Sequence, residues 1–221
     1  MTADRAFFAA FLDLRERLAL VVGGGGVGEA KVRTLLRSGA RVRLVAPVLC
    51  EGLRQLSREG VIEHRARRFE PADMDGATVA IAATDDAEAN AAVAHAAHER
   101  GIAVNVADDP SLSTFIMPAV VDRGAIQVAI STGGASPVLA KRLAALVEAA
   151  VPAEFARLAE FAADYRDAVK RRFTDVGSRR AFWERALDGD IGRLVLAGRE
   201  AEARALMEAE LAPPRPLPPA A

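Results

Sequence analysis

Cysteine is almost absent. Cys50 is the single one in 221 residues, so no intrachain disulfide framework can form, and such usage fits a reducing compartment. There is no CxxC pair and no Cys/His cluster, so no structural zinc site is expected. His64, His95 and His98 are the only histidines. His95 and His98 fall at i, i+3 on an Ala-rich helical stretch, which reads as ordinary helix surface. An excess of one charge is also missing. Lys and Arg number 29 against 30 Asp and Glu, a net charge of −1, which gives no global electrostatic case for nucleic acid. No apolar run reaches the about 20 residues needed to cross a bilayer. The start, Met1-Thr2-Ala3-Asp4-Arg5-Ala6-Phe7-Phe8, lacks the basic stretch and long apolar core of a signal peptide. The expectation is a cytoplasmic protein that engages neither membrane nor nucleic acid. Aromatic residues make up only 5%, whereas hydrophobic residues make up 51%, enough to build a real core.

What is present is glycine in one place. Val21-Val22-Gly23-Gly24-Gly25-Gly26-Val27-Gly28-Glu29-Ala30-Lys31 follows an apolar stretch and opens a helical pattern. Gly23, Gly25 and Gly28 have the GxGxxG spacing of dinucleotide-binding turns. Gly23 allows a tight turn out of the strand, Gly25 lets backbone approach a pyrophosphate, and Gly28 lets the helix pack close to the sheet. Free N–H groups at the helix start would hold the pyrophosphate. Such a motif alone is a weak signal; the strand before it and the helix after it strengthen it.

The first half alternates strand and helix patterns. Strands are expected at 18–22, 41–46, 61–65, 78–83 and 102–106. Between them Val32, Leu35 and Leu36 share one helix face, Leu49, Leu53 and Leu56 another, and residues 87–100 form an Ala-rich helix. Short apolar strands separated by helices imply a doubly wound parallel sheet, with ligands at the carboxyl ends of the strands. The pattern then changes. Apolar runs at 115–121 and 125–131 flank Asp122-Arg123-Gly124 and read as a β-hairpin. Ser131-Thr132-Gly133-Gly134-Ala135-Ser136-Pro137 follows, with Ser136 a natural N-cap and Pro137 a natural first helical residue. The helix to about 150 carries Val138, Leu139, Leu143, Leu146 and Val147 on one broad stripe, a face suited to a dimer interface or to packing on its own domain. From Pro152 the chain is helical. Phe155, Leu158, Phe161, Tyr165, Val169, Phe182, Trp183, Leu187, Ile191, Leu194, Val195, Leu206 and Leu211 are its expected core. A stiff Pro-rich tail closes the chain.

These residues resemble a known family, the N-terminal module of siroheme synthase and the free-standing precorrin-2 dehydrogenase/sirohydrochlorin ferrochelatases. The matching stretches are Phe11-Leu12-Asp13-Leu14-Arg15, the glycine run with Lys31, Ala80-Ile81-Ala82-Ala83-Thr84-Asp85-Asp86 with Asn90, Asn105-Val106-Ala107-Asp108, Phe115-Ile116-Met117-Pro118, the 131–137 loop and Arg179-Arg180-Ala181-Phe182-Trp183. Together they cover most of the chain. The glycines are generic; the Phe115–Pro118 and 131–137 motifs at their spacing are specific. The fold implied is α/β, a Rossmann-like doubly wound parallel sheet followed by a β-hairpin/helix dimerisation segment and a small C-terminal helical domain. The expected boundaries are 1–114 for the NAD-binding domain, 115–151 for the dimerisation segment, 152–212 for the helical domain and 213–221 for the tail. The resemblance implies a homodimer that oxidises the tetrapyrrole precorrin-2 to sirohydrochlorin with NAD+. In bifunctional members it then inserts Fe2+ to give siroheme. Some members are dehydrogenases only, and the residues do not choose between them. A third reading, a dinucleotide-sensing dimer without chemistry, would need no base and would usually carry a partner-binding element, and no basic recognition helix is seen.

The resemblance places the catalytic role on Asp108. It directly follows a strand at the carboxyl edge of the sheet, where a base beside a hydride acceptor is needed. Metal insertion also releases two pyrrole protons that a carboxylate can take. Read alone, Asp108-Asp109-Pro110 also fits a plain turn, the better reading for Asp109. For the cofactor the candidates are Gly23, Gly25, Gly26, Val27, Gly28, Pro47, Val48, Thr84 and Asp85. Asp85 or Asp86 also suits a helix N-cap. The second strand departs from the usual fingerprint: Arg43-Leu44-Val45-Ala46-Pro47 offers no acid for a ribose 2′-hydroxyl. The first acid, Glu51, falls in the next helix. Backbone at Pro47–Val48 would make the ribose contacts, and Arg41 or Arg43 could accommodate a 2′-phosphate, so NAD rests on the resemblance. For the substrate carboxylates the candidates are Ser131, Thr132, Gly133, Gly134 and Ser136, with Arg142. The 131–137 loop reads equally as a strand-to-helix turn. Arg123, Lys141, Lys170, Arg171, Arg172, Arg179 and Arg180 read more simply as solvated helix faces.

Overall fold

Leu18–Val22 (β1) is a run of five apolar residues, all of them buried. A strand buried on both faces belongs inside a parallel sheet. β1 pairs in parallel with Arg41–Val45 (β2) on one side and Ala77–Ala82 (β4) on the other. Glu63–Arg65 (β3) and Ala103–Val106 (β5) complete the order β3-β2-β1-β4-β5. The computed structural model describes residues 7–212. They fall in two compact units: the chain to Met117 with Gly133–Ala135, and Pro118–Thr132 with the chain from Ser136 onward. The Pro-rich tail expected at 213–221 and residues 1–6 of the start lie outside the described residues.

In the first unit the two faces of β1 divide the core. Ala19 and Val21 pack with Val32 and Leu35 of α1 (Gly26–Arg37) and Leu53 of α2 (Glu51–Arg58). Leu20 and Val22 pack with Val93, Ala94 and Ala97 of α3 (Ala87–Glu99) and with Met74 of a 3-10 turn, Pro71–Met74. Helices on both faces give the expected doubly wound sheet. Each fully buried Leu or Val contributes about 1.5–3 kcal/mol.

Two expected strands are displaced. The strand read at 61–65 starts two residues later. Gly60 N–H bonds to Ser57 O (3.1 Å) and Val61 N–H to Leu56 O (3.0 Å), with Gly60 at φ +69°. That is the pair of hydrogen bonds that closes a helix C-terminus, so residues 60–61 end α2 instead of joining the sheet. The run at 115–121 is a strand only in its second half. Thr114 N–H bonds to Val104 O (2.8 Å), Asn105 Nδ2 donates to Phe115 O (3.1 Å), and Phe115 and Met117 pack on the α1/α2 face of the sheet. Residues 114–117 thereby cover the free side of β5.

The hairpin of the second unit is Ala119–Arg123 (β6) and Ile126–Ile130 (β7), in register from Ala119↔Ile130 to Arg123↔Ile126. Its turn is Gly124-Ala125, one residue beyond the one expected. Glycine with φ +65° at the first central position matches the twist of paired strands. The helices are α4 (Pro137–Ala150), α5 (Phe155–Arg172), α6 (Val176–Asp188), α7 (Asp190–Leu196) and α8 (Glu200–Leu211). Phe161 and Val169 of α5, Phe182 and Ala186 of α6, Ile191 and Val195 of α7, and Ala203 and Met207 of α8 form one core. Phe155 and Leu206, expected there, are exposed. By contrast α4 buries no residue, and Val138 is 76% and Leu146 62% exposed. Among the described residues no helix is long and apolar enough to cross a membrane.

Candidate functional site

The chain leaves β1 through three glycines that crowding makes obligatory. Gly23 has φ +128°, and a Cβ there would sit 2.1 Å from Ala83 O. A Cβ on Gly28 would sit 2.2 Å from Gly23 O, and one on Gly24 1.9 Å from Val48 O. The motif spacing treats Gly24 as a free position, yet the backbone of residue 48 passes too close for any side chain. Its placement is held by Cys50 N–H bonding to Gly24 O (2.8 Å). Gly25 and Gly26 differ: a Cβ on either would meet nothing within 4 Å. They open onto a cavity.

That cavity, about 640 Å³, lies at the carboxyl ends of β1, β2 and β4, where the strand order reverses. Nucleotide and cofactor sites occupy about 300–1,000 Å³ and sit at this switch point. The structure brings Gly23, Gly25, Gly26, Val27, Pro47, Val48, Thr84 and Asp85 together around it. Gly28 does not line it and acts from behind, by letting α1 approach Gly23. α1 begins at Gly26 with Gly25 as N-cap and no side-chain cap. Its first-turn N–H groups and positive dipole end are therefore available to a phosphate. A bare cradle of backbone donors in a cavity of this size fits a dinucleotide.

On the far side of β4, Thr84 Oγ1 donates to Asn90 Oδ1 (2.8 Å) and accepts from Asp86 N–H (3.1 Å). Asn90 Nδ2 donates to Thr84 O (2.9 Å). Asp86, not Asp85, caps α3 by accepting from Ala89 N–H (3.0 Å). Thr84 thus shapes the wall through a buried asparagine.

The β2 side corrects two expectations. Arg43 Nε donates to Glu63 (2.9 Å) and its Nη1 to the carbonyls of Asp73 and Asp75; a guanidinium so committed reads no phosphate. Arg41 lies at the opposite end of β2 and lines a different cavity. Glu51, at the start of α2, pairs with Arg54 and Arg58. The cations at the cavity are instead Arg67 and Arg68, with Phe69 beside them. They escaped the sequence reading because an Arg-rich segment after a short strand looks like solvated surface. The available signal is their position just after β3, the neighbour of β2. Asp73 is fully buried and holds this segment. It accepts two bonds from Arg67 (2.8 Å each), one from Glu70 N–H (2.9 Å) and one from Arg65. Burial alone would raise its pKa; the Arg67 bonds, the Glu70 N–H and Arg65 outweigh it and hold the carboxyl below its ordinary value.

Asp108 follows β5 at the same edge of the sheet. It has φ +61°, a left-handed conformation costly for a residue with a Cβ. Its neighbour does the work of the turn: Asp109 accepts from Ser111 N–H (2.9 Å) and Ser111 Oγ (2.5 Å), which pull its pKa down. Asp108 makes no side-chain hydrogen bond or ion pair within 4.0 Å among the described residues, and it is not among the residues lining the cavity. The charge acting on it comes from Lys31 on α1. Burial lowers the pKa of this lysine, against an opposing pull from the Asp108 carboxylate. The motif comparison contained Lys31, but only the folded chain brings it near Asp108.

The 131–137 loop lies apart in sequence. Ser136 N–H donates to Thr132 Oγ1 (3.1 Å), and Ser136 Oγ caps α4 by accepting from Leu139 N–H (3.2 Å). Gly133 and Gly134 have φ +63° and +87°, and a Cβ added to either would meet nothing within 4 Å. Arg142 is exposed and has no ion pair among the described residues. Arg123 is committed to Glu148 (3.1 Å) and Val151 O (3.3 Å), Arg179 to the carbonyls of Phe173 and Thr174, and Arg180 to Glu184 (2.7 Å).

Comparison with known proteins agrees along the chain. Residues 10–119 match a family model described as "Putative NAD(P)-binding", residues 123–149 one described as sirohaem biosynthesis protein central, and residues 154–211 one described as sirohaem synthase dimerisation region. The chain is 49% identical over 206 residues to siroheme synthase of Chromobacterium violaceum, covering 93% of this chain and 44% of that protein. It is 50% identical over 198 residues to siroheme synthase of Methylobacillus flagellatus, covering 90% and 42%. It therefore spans less than half the length of these relatives. Among solved structures it is similar to SirC, a precorrin-2 dehydrogenase, with TM-score 0.72 and 26% identity over 92% of this chain and all of that one.

Proposed function

The chain belongs to the family of the siroheme synthase N-terminal module and precorrin-2 dehydrogenases, and from that premise we propose that it oxidises precorrin-2 to sirohydrochlorin with NAD+ and then inserts Fe2+ to give siroheme. The observation that carries this reading is the placement of Asp108. A carboxylate without a side-chain hydrogen bond among the described residues, at a left-handed backbone position (φ +61°), stands on the edge that carries the glycine-lined cavity. Strain held at one residue while its neighbour Asp109 satisfies the turn points to a functional constraint.

The dinucleotide, when bound, supplies a hydride acceptor. The chain's own residues do the rest. Gly25, Gly26 and Val27 present N–H groups to the pyrophosphate, and Pro47–Val48 backbone lies at the ribose. Asp108 takes the proton lost as the hydride leaves, with Lys31 of α1 as the charge that interacts with it. In iron insertion the macrocycle provides four nitrogen ligands, and Asp108 receives the displaced N–H protons. Ser131, Thr132, Gly133, Gly134, Ser136 and Arg142 are assigned to the substrate carboxylates. The working form is a homodimer. The uncovered apolar stripe of α4 and the dimerisation-region match support it.

The test is anaerobic absorbance of precorrin-2 with NAD+ and then Fe2+, for wild type and Asp108→Ala. NADH and a sirohydrochlorin spectrum, reduced about 10²–10⁴-fold in the variant, are expected of a lost general base. Iron insertion no faster than without protein would leave a dehydrogenase alone. A folded, NAD-binding wild type that oxidises nothing would overturn the enzyme reading.

A further inference from the structure

The cavity has an asymmetric charge pattern that the NAD reading leaves unused. At the end of β2, where an acid would hold a ribose 2′-hydroxyl and repel a phosphate, stand Ala46, Pro47 and Val48. Ala46 O is occupied by His64 Nε2 (2.9 Å). Nothing acidic on this wall opposes a second phosphate. The acids that line the cavity, Asp85, Asp86 and Glu88, follow β4 on the other side of β1, and Asp86 is committed to capping α3.

β3 lies beside β2, so the chain leaving β3 rises along the ribose end of the cavity. There Arg67 is fastened by Asp73 and also donates from Nη1 to Arg68 O (2.9 Å). The backbone of Arg68 is therefore anchored while its side chain is not. The Arg68 side chain is 88% exposed, and its ion pair with Asp86 is at the 4.0 Å limit. An anchored backbone bearing a guanidinium held only by a 4.0 Å pair to Asp86, next to a β2 end that carries no acid, is an arrangement that can turn to a phosphate monoester.

We propose that this site accepts a 2′-phosphorylated adenine dinucleotide as well as the unphosphorylated one, with Arg68 as the residue that reads the 2′-phosphate and Arg67 as its anchor. The inference rests on the dinucleotide reading of the cavity and adds to it which cofactors are admitted.

The test is calorimetric binding of NAD+ and NADP+ to the full chain, wild type and Arg68→Gln, with no substrate present. Wild type is expected to bind NADP+ within about tenfold of NAD+. Arg68→Gln, a surface change, is expected to weaken NADP+ at least fivefold while moving NAD+ less than twofold, in line with one lost charge-assisted bond. A wild-type preference for NAD+ above tenfold, or a variant that loses less than fivefold or loses both cofactors equally, would overturn the proposal. Binding of neither cofactor would sink the dinucleotide site itself, a result distinct from binding of NAD+ alone.

Discussion

Two glycine-rich loops in this chain look alike in sequence and are unlike in physics. In the 23–28 loop, glycine is required by close approach of backbone: the Ala83 and Val48 carbonyls from other segments and the Gly23 carbonyl of the loop itself stand where a Cβ would go. In the 131–137 loop, glycine is required by the chain's own conformation: Gly133 and Gly134 are left-handed, and a Cβ on either would meet nothing within 4 Å. The first loop is a packing element that leaves Gly25 and Gly26 bare for a ligand. The second is a turn bridged by the Thr132 hydroxyl to the Ser136 backbone, with the Ser136 hydroxyl capping the helix after it. A glycine run is therefore informative about binding only once the close contacts around it are separated from the turn requirement.

The sharpest way to break this comparison is Gly24→Ala. A Cβ 1.9 Å from a carbonyl must push apart β1 and the segment after β2, so a loss of about 3 kcal/mol in denaturant unfolding is expected; a change below about 1 kcal/mol would mean the two segments yield freely. Next comes Asp73→Asn, which strips the charge partner from two arginines on the wall of the first loop's cavity. It should cost about 2–3 kcal/mol. Because the folded pKa of Asp73 lies below its ordinary value of 3.8, its contribution is full above that value and fades as pH falls through the folded pKa. Wild-type stability should therefore drop below about pH 4, and urea melts across pH should show a shallower drop in the variant. Gly134→Ala should cost about 1 kcal/mol, the price of a left-handed alanine, with no clash to add. The smallest effect on stability belongs to Gly25→Ala, within about 0.5 kcal/mol, yet NAD+ binding measured by calorimetry should weaken about tenfold as the methyl enters the cavity. Unchanged NAD+ affinity there would place the pyrophosphate elsewhere.

The doubly wound sheet was legible in sequence because its central strands, β1 and β4, are short apolar runs between helical patterns, whereas the polar edge strand Glu63–Arg65 was misplaced. β1 and its neighbours appear within a residue or two of expectation. Misreading set in where burial and pairing part company. Phe115–Met117 is apolar because it packs on the sheet, and periodicity cannot tell that from a hairpin strand. Val61 looked like a strand residue but ends a helix. In the site, Gly24 was hidden at a position the motif leaves open, since only Val48 passing overhead makes it obligatory. Arg43 looked available until Glu63 and two carbonyls claimed it, and Arg67 and Arg68 looked like surface until β3 lay beside β2. The charges of Lys31 and Asp108 interact across 77 positions of sequence (108 minus 31). Local chemistry was readable; which charges remain uncommitted depends on long-range neighbours.

The pairing of β1 also sets a schedule for a chain emerging from the ribosome. Its first partner, β2, arrives soon after, but Ala77 of β4 follows Leu18 by 59 residues (77 minus 18). At about 5–20 residues per second, one side of Leu18–Val22 waits roughly 3–12 s for its partner. During that interval five apolar residues with an open row of backbone donors and acceptors are exposed on the nascent chain. Nascent chains arrested before β4 should therefore be held by chaperones, and those extended past Thr114, which closes the far edge, should be released.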